Sequence, residues 1–176
     1  MSINPSTREE FNAVIGYCKG LGVDVGCGTN RLSPEVLALD HYPHVAKPEE
    51  AGANDMVVDC RKLPFRDNVF DFVFSSHCIE DFKPEEIPAV FFDWLRVVKK
   101  GGYLILLLPD METKRANGRT RYPRVEDSDG NPSHRCNVGK NFIRQLTENR
   151  KDVIICQEDT IDHERFFTVD IVLKKL

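Results

Sequence analysis

The chain has 176 residues, room for one domain of ordinary size and too little for two. Hydrophobic residues make up 41% of it, as in a globular rather than a disordered protein, and 24 basic against 28 acidic side chains leave a net charge of −4, so the chain as a whole is no polycation built for nucleic acid. The longest apolar run, Tyr103–Leu108, is far short of the roughly 20 residues that span a bilayer, and Met1–Pro5 lacks the basic and apolar regions of a secretion signal, so a cytoplasmic protein without a membrane segment is expected.

In chain order the first element is a helix. Ser6-Thr7-Arg8-Glu9 has the spacing of a capping box, Phe11, Val14, Ile15 and Cys18 recur at helical intervals, and Gly20 and Gly22 end the pattern. Four short apolar runs follow, at 21–25, 36–39, 56–58 and 70–74, each of a length for a strand buried on both faces of a parallel sheet. Ile87, Val90, Phe91, Trp94, Leu95 and Val98 then form one face of a second helix. Pro84 and Pro88 are tolerated near its first turn, Lys99-Lys100 suit its negative end, and Gly101-Gly102 read as its stop. A strand at Tyr103–Leu108 comes next. Residues 111–138 are polar and without period, a long loop. Phe142, Ile143 and Leu146 mark a third helix, and Val153–Cys156 a strand. Phe167, Val169, Ile171 and Leu173 alternate with Thr168, Asp170 and Lys174, the pattern of a half-exposed last strand. With no internal repeat and no linker, the order predicts one α/β domain over 1–176 with a single, mostly parallel sheet.

Candidate chemistry gathers where these strands end. Asp24-Val25-Gly26-Cys27-Gly28-Thr29-Asn30 closes the first strand, and its glycines allow a ligand close to the backbone at the carboxyl edge of the sheet, although a plain tight turn reads the same. Arg31 stands where a dinucleotide fingerprint would carry its third glycine. Asp40 ends the second strand, where an acid can accept from two ribose hydroxyls or simply be a solvated turn acid. Asp59-Cys60 ends the third, offering a carboxylate to an exocyclic amine and a backbone N–H to a ring nitrogen. The six cysteines, Cys18, Cys27, Cys60, Cys78, Cys136 and Cys156, are scattered without a C-x-x-C pair, which favours reduced thiols packed as small hydrophobes and no metal site.

These motifs, followed by Leu63-Pro64-Phe65-Arg66-Asp67-Asn68-Val69-Phe70-Asp71-Phe72-Val73-Phe74-Ser75-Ser76-His77 and Leu95-Arg96-Val97-Val98-Lys99-Lys100-Gly101-Gly102-Tyr103, resemble the successive blocks of class I S-adenosylmethionine-dependent methyltransferases, most of all the small type-11 branch. The likeness runs over about residues 21–110. It implies a Rossmann-like, seven-stranded sheet in the order 3-2-1-4-5-7-6 with the last strand antiparallel, and S-adenosylmethionine as cofactor with S-adenosylhomocysteine as product. By the same resemblance Gly26, Cys27 and Gly28 flank the methionine moiety, Asp40 the ribose with His41 at its edge, and Asp59 and Cys60 the adenine. Ser75, Ser76 and His77 would lie beneath the reacting methyl, and Asp71 would be structural.

Two departures carry expectations of their own. About seven residues separate Gly28 from Val36, against the dozen or so of a parallel crossover, so the family's first crossover helix is reduced or absent. That helix would offer its N-terminus to the cofactor carboxylate, and Arg31 and Asn30 are the candidates to replace it. Glu80-Asp81 stands where the family often shows Glu-His, so no histidine role passes to position 81.

Methyl transfer is an in-line displacement in which positioning does most of the work, and a base is needed only if the acceptor must lose a proton. His77 is the best-placed base, and it fits equally a ring packed beside the cofactor without proton transfer. His134 can reach the site from the long loop, or be a surface loop histidine; His44 and His163 have no motif around them. Lys114, Arg115, Arg119, Arg121 and Arg124 suit an anionic acceptor or RNA, or a merely solvated loop. The absence of an Asp/Asn-Pro-Pro-aromatic or Pro-Cys motif after the fourth strand argues against DNA modification. The reading is methyl transfer to a small-molecule acceptor, anionic if those cations choose it, at oxygen or nitrogen, with residues 111–138 as a lid. Its rivals are a cofactor-binding domain without catalysis, an RNA methyltransferase using the 114–124 loop and, more distantly, a nicotinamide oxidoreductase.

Overall fold

The computed structural model describes residues 5–41, 54–162 and 167–176. His44, His163 and the side chains of the Ser6–Glu9 capping box lie outside the described residues. Helix α1 (Pro5–Val14) and a 3-10 turn (Ile15–Tyr17) precede β1 (Gly22–Val25), β2 (Leu37–Asp40), β3 (Met56–Val57) and β4 (Phe70–Ser76). Then come α2 (Ile87–Val97), β5 (Val98–Pro109), α3 (Lys140–Thr147), β6 (Val153–Asp162) and β7 (Phe167–Lys175). The sheet order is β3-β2-β1-β4-β5-β7-β6, parallel from β3 to β5, with β7 antiparallel to both its neighbours. The expected topology is therefore present, last strand included.

Alternation along the strands divides the core in two. Leu104, Leu106 and Leu108 of β5, with Val23, Val25, Val73, Ile171 and Leu173, bury one face beneath α2 and Ile143 of α3. Ile105 and Leu107, with Phe72, Phe74 and Val172, bury the other beneath Val14 and Phe11 of α1. Trp94, fully buried on α2, satisfies its indole N–H by donating to the Cys60 carbonyl at 2.7 Å. That bond ties α2 to the segment after β3.

Several local expectations need correction. The first helix ends at Val14, and the 3-10 turn leaves Ile15 47% exposed rather than on the buried face; Gly22 begins β1 instead of closing the helix. β3 is an edge strand with both residues exposed, not one buried on two faces. Gly101-Gly102 lie inside β5, since α2 has already ended at Val97. Lys175 caps that helix end, its Nζ donating to the carbonyls of Leu95, Arg96 and Val98 at 3.1, 3.1 and 2.8 Å. Gly102 serves a close approach, because a Cβ there would stand 2.5 Å from the Asp71 carbonyl of β4. β7 is buried on both faces: Thr168 and Asp170 are fully buried beside Glu10 and Gln157, to which they hydrogen-bond. β6 runs to Asp162, well past Cys156.

The crossover from β1 to β2 contains no helix. Residues 26–36 are a chain of turns, held by Asn30 N donating to Cys27 O and Val36 N to Ser33 O, with Leu32 and Val36 packed against the α1 side of the sheet. Residues 111–138 are irregular apart from a single bridge between Lys114 and Thr120, yet they are well tied down. Met111 N donates to Val138 O, Tyr122 N to Asp110 O and Arg121 N to Thr113 O, and Cys136 and Val138 are buried.

Candidate active site

Parallel strands end together, so the loops after β1, β2, β3 and β4 meet at one edge of the sheet, and a cavity of about 570 Å³ opens there. Gly26, Gly28, Asp40, His41, Asp59, Cys60 and His77 line it. Asp24, Cys27, Asn30, Arg31, Ser75, Ser76 and His134 do not.

The glycine turn is built by the backbone. Gly26 N and Cys27 N both donate to the Leu39 carbonyl, at 2.9 and 3.1 Å, and Gly28 N donates to Asp40 Oδ2 at 2.9 Å. Gly26 and Gly28 take φ of +72° and +53°, the left-handed region that suits glycine. A Cβ on Gly26 would collide with Cys78, whereas one on Gly28 would meet nothing within 4 Å. The turn thus presents bare backbone to open space beside Asp40, a cradle that a ligand can fill.

Asp24 and Arg31 hold the crossover and lie off the cavity wall. Asp24 is buried and accepts from Leu32 N at 2.7 Å, and burial pushes its carboxyl up to about 7. The Arg31 guanidinium donates to the carbonyls of Ser33 and Val36 at 3.0 and 2.6 Å and pairs with Asp55 at 2.9 Å. Ser75 Oγ donates to the Val25 carbonyl at 2.8 Å, joining β4 to β1 beneath the site. Burial pushes the Cys27 and Cys60 thiols up to about 12 and the Cys78 thiol well above its ordinary value, so all three are neutral small side chains.

At the far side of the cavity, Asp59 is held below the usual carboxylate range by Arg61, whose Nε lies 2.9 and 3.1 Å from its two oxygens. Arg61 also reaches Glu86, at 3.3 Å. Phe82 and Lys83 complete this wall.

His77 sits just past β4 with φ +52°, its N–H donating to the Leu107 carbonyl at 2.9 Å. Its Nδ1 lies 3.3 Å from Glu80 Oε1, while Nε2 lies 3.4 Å from Thr168 Oγ1 and 3.9 Å from Glu10 Oε2. Burial works to lower the proton affinity of the ring, but Glu80, Glu10 and Asp81 outweigh it and the pKa is raised. His134 is no surface histidine. It is 5% exposed, tilted against the Tyr122 ring at 5.5 Å between centroids, with Nε2 3.1 Å from Asn131 Nδ2. It stands behind His77 rather than in the cavity.

Sequence reading missed Arg61, Lys83, Glu86, Ser133 and Arg135 on the wall. The first three follow the ends of β3 and β4, so position at the carboxyl edge was a usable signal. Ser133 and Arg135 arrive from the long loop, and no local pattern marks them. The loop's arginines are largely engaged: Arg119 pairs with Asp129 at 2.7 Å, Arg124 with Glu126 at 2.9 Å, and Arg115 and Arg121 lie over the Phe167 ring at 4.2 and 5.3 Å.

Comparison with known proteins agrees with this geometry. The type-11 family model described as a methyltransferase domain matches residues 23–106. Probable tRNA methyltransferase 9B of Mus musculus is 34% identical over 102 residues, 53% of this chain and 23% of that protein. The chain spans less than half the length of the curated relatives it matches. Among solved structures, the PH0226 protein of Pyrococcus horikoshii OT3 has a similar fold, with a TM-score of 0.70 at 22% identity over 100% of this chain and 92% of that one. So does the 1,6-didemethyltoxoflavin-N1-methyltransferase of Burkholderia thailandensis with bound S-adenosylhomocysteine, with a TM-score of 0.68 at 11% identity over 99% and 80% of the two chains. No helix among the described residues is long and apolar enough to cross a membrane. The matched stretch, the sheet order and the acids set near successive strand ends give this chain a type-11 methyltransferase domain over residues 23–106 on the class I S-adenosylmethionine-dependent methyltransferase fold.

Proposed function

We propose that the cavity binds S-adenosylmethionine and delivers its methyl group to a small-molecule acceptor, at oxygen or nitrogen. The observation that carries the reading is one continuous wall: the bare Gly28 turn, Asp40 and Asp59 in sequence along the strand ends, and His77 at the opposite side. When bound, the cofactor supplies a methyl carbon already activated for displacement, so what the protein adds is chiefly orientation. Asp40 would accept from the ribose hydroxyls, with His41 at its edge. Asp59 and the Cys60 backbone would meet the adenine. Gly26, Cys27, Gly28 and Asn30 would pass close to the methionine moiety, and Asp24, Ser75 and Ser76 would support this floor from below.

His77 would face the acceptor. Because the flanking acids raise its proton affinity, the ring keeps its proton to a higher pH than an ordinary imidazole does. It serves as a base above that point and as a cationic wall below it. Ser133 and Arg135 bring residues 111–138 to the same wall, which supports that segment as the element that selects and covers the acceptor. His134 would act from behind it. An RNA acceptor is less well supported, since most arginines of the loop already have partners within the chain.

Calorimetric titration with S-adenosylhomocysteine tests the cofactor reading. The wild-type protein should bind, and Asp40→Ala should bind more weakly by about 1–3 kcal/mol, the scale of losing charge-assisted hydrogen bonds. No binding by the wild type refutes the reading, and equal affinities refute the ribose assignment. Transfer of labelled methyl to pooled amines and phenols, run beside transfer RNA transcripts, then assigns the acceptor. A protein that binds the product and methylates nothing is a binding domain.

A further inference from the structure

Five buried side-chain atoms among the described residues have no hydrogen-bond partner, and three of them lie together: both carboxylate oxygens of Glu80 and Nδ1 of His134. Glu80 is fully buried, in the short 3-10 turn Ile79–Asp81 that follows His77. Its Oε1 stands 3.3 Å from His77 Nδ1 and 3.7 Å from His134 Nε2, close to both rings without a well-directed bond to either. A carboxylate this deep needs a counter-charge, because its desolvation is otherwise uncompensated. Among the described residues, the groups that pair with it are these two imidazoles, cationic when protonated. The backbone reinforces the junction, as the Glu80 carbonyl accepts from Arg135 N at 2.7 Å and Cys136 N at 3.1 Å.

We propose that Glu80 is a positioning residue of the methyl-transfer site, a single buried carboxylate that holds the His77 ring against the cavity wall and, through His134, fastens the 111–138 loop to the same point. This rests on the reading of the cavity as that site. Glu80 lines no part of the cavity, so it acts through the histidines. The groups facing His77 are Glu80 and Asp81 from its own segment, Glu10 from α1 and Thr168 from β7; those facing His134 are Glu80, Asp81, Asn131 and Tyr122. Loss of the Glu80 charge leaves desolvation acting on His77 with only the more distant Glu10 and Asp81 to oppose it. The proton affinity of the His77 ring and the docking of the loop therefore change together.

The test needs no methyl donor. Ring titration of histidine-labelled full-length protein is followed by NMR, with His77→Gln and His134→Gln used to assign the two resonances. In the wild type His77 should titrate above the ordinary imidazole value. In Glu80→Gln its midpoint should fall by at least one pH unit, a tenfold loss of proton affinity, and amide exchange at 131–136 should quicken at least tenfold. Glu80→Asp should recover part of both effects. A merely structural carboxylate would loosen the loop and leave the His77 titration alone, so an unmoved midpoint overturns the proposal. Should Glu80→Gln fail to fold, the wild-type titration decides, because a His77 ring that titrates at or below the ordinary imidazole value also overturns it. Product titration on the same samples separates the two claims: a wild type that binds no S-adenosylhomocysteine refutes the proposed function, while the ring titration still judges Glu80.

Discussion

Gly26 and Gly28 demand the same backbone but differ in what a methyl group would meet, so alanine at each position separates folding from binding. Both residues have positive φ, and an L side chain in that region costs about 1–2 kcal/mol. At Gly26 the added Cβ would lie 2.3 Å from Cys78 Sγ and 2.6 Å from Cys78 Cβ. Overpacking of that kind adds roughly 1–3 kcal/mol, so Gly26→Ala should lose about 2–5 kcal/mol of stability. At Gly28 nothing lies within 4 Å, and only the backbone cost of about 1–2 kcal/mol applies. The new methyl would project into the cavity where the proposed cofactor passes. Urea denaturation and calorimetry with S-adenosylhomocysteine measure the two effects. Gly28→Ala should fold and bind at least tenfold more weakly, a loss of about 1.4 kcal/mol or more in binding free energy. Gly26→Ala should show the larger stability loss, and Cys78→Ala in that background should recover part of it. Wild-type affinity in Gly28→Ala would mean that the cofactor does not cross the turn. Equal destabilisation at the two glycines would refute the packing argument.

Two further outcomes follow from the crossover. Arg31→Ala should destabilise the fold by about 1–3 kcal/mol, since it strips donors from the Ser33 and Val36 carbonyls and a partner from Asp55. Affinities for S-adenosylhomocysteine and for methylthioadenosine, which lacks the carboxylate, should then change alike; a loss confined to the former would give Arg31 a carboxylate-binding role after all. For Asp24, the folded pKa of about 7 exceeds the unfolded value, so the folded state holds the extra proton and stability falls as pH rises from about 4 to 7, by something on the order of 4 kcal/mol, then levels off. Asp24→Asn keeps an oxygen for Leu32 N and removes that slope. Urea midpoints at pH 5, 6, 7 and 8 should show the variant's advantage growing up to pH 7, and parallel pH curves would sink the argument.

What was legible in the sequence was whatever depends on near neighbours. Alternating apolar residues and buried strand lengths located all seven strands, and the Ile87–Leu95 spacing located α2. The acids at the ends of β2 and β3 could be named because a parallel sheet places successive strand ends at one edge. The misreadings involve partners distant in the chain. Thr168 and Asp170 look like the wet face of a strand, but both are buried, with Thr168 bonded to Glu10 and one Asp170 oxygen to Gln157. Arg31 looks free for a ligand until Asp55 and three local carbonyls are folded around it. His134 looks exposed in a polar loop, and only Tyr122 and Glu80, brought in by the fold, make it a buried ring.

The short crossover shows how a missing helix can be replaced without leaving the sheet bare. A helix there would cover the α1 side of the sheet with an apolar stripe and close its own hydrogen bonds. The eleven residues 26–36 divide those tasks differently. Leu32 and Val36 supply the apolar cover, against the face that carries Phe72 and Phe74. Backbone groups that a helix would satisfy internally are taken by side chains: Asp24 accepts from Leu32 N, and one Arg31 guanidinium collects the carbonyls of Ser33, Pro34 and Val36. Asp55 anchors that guanidinium and also accepts from Ala38 N at 2.9 Å, so the β2 backbone and the crossover share one carboxylate. This leaves Gly26–Gly28 bonded to Leu39 and Asp40 rather than to a helix, with the turn's outer surface open. The polar side chains that hold the crossover are therefore the ones least free to bind a ligand, and recognition falls to the glycine backbone and to the acids on the neighbouring strand ends.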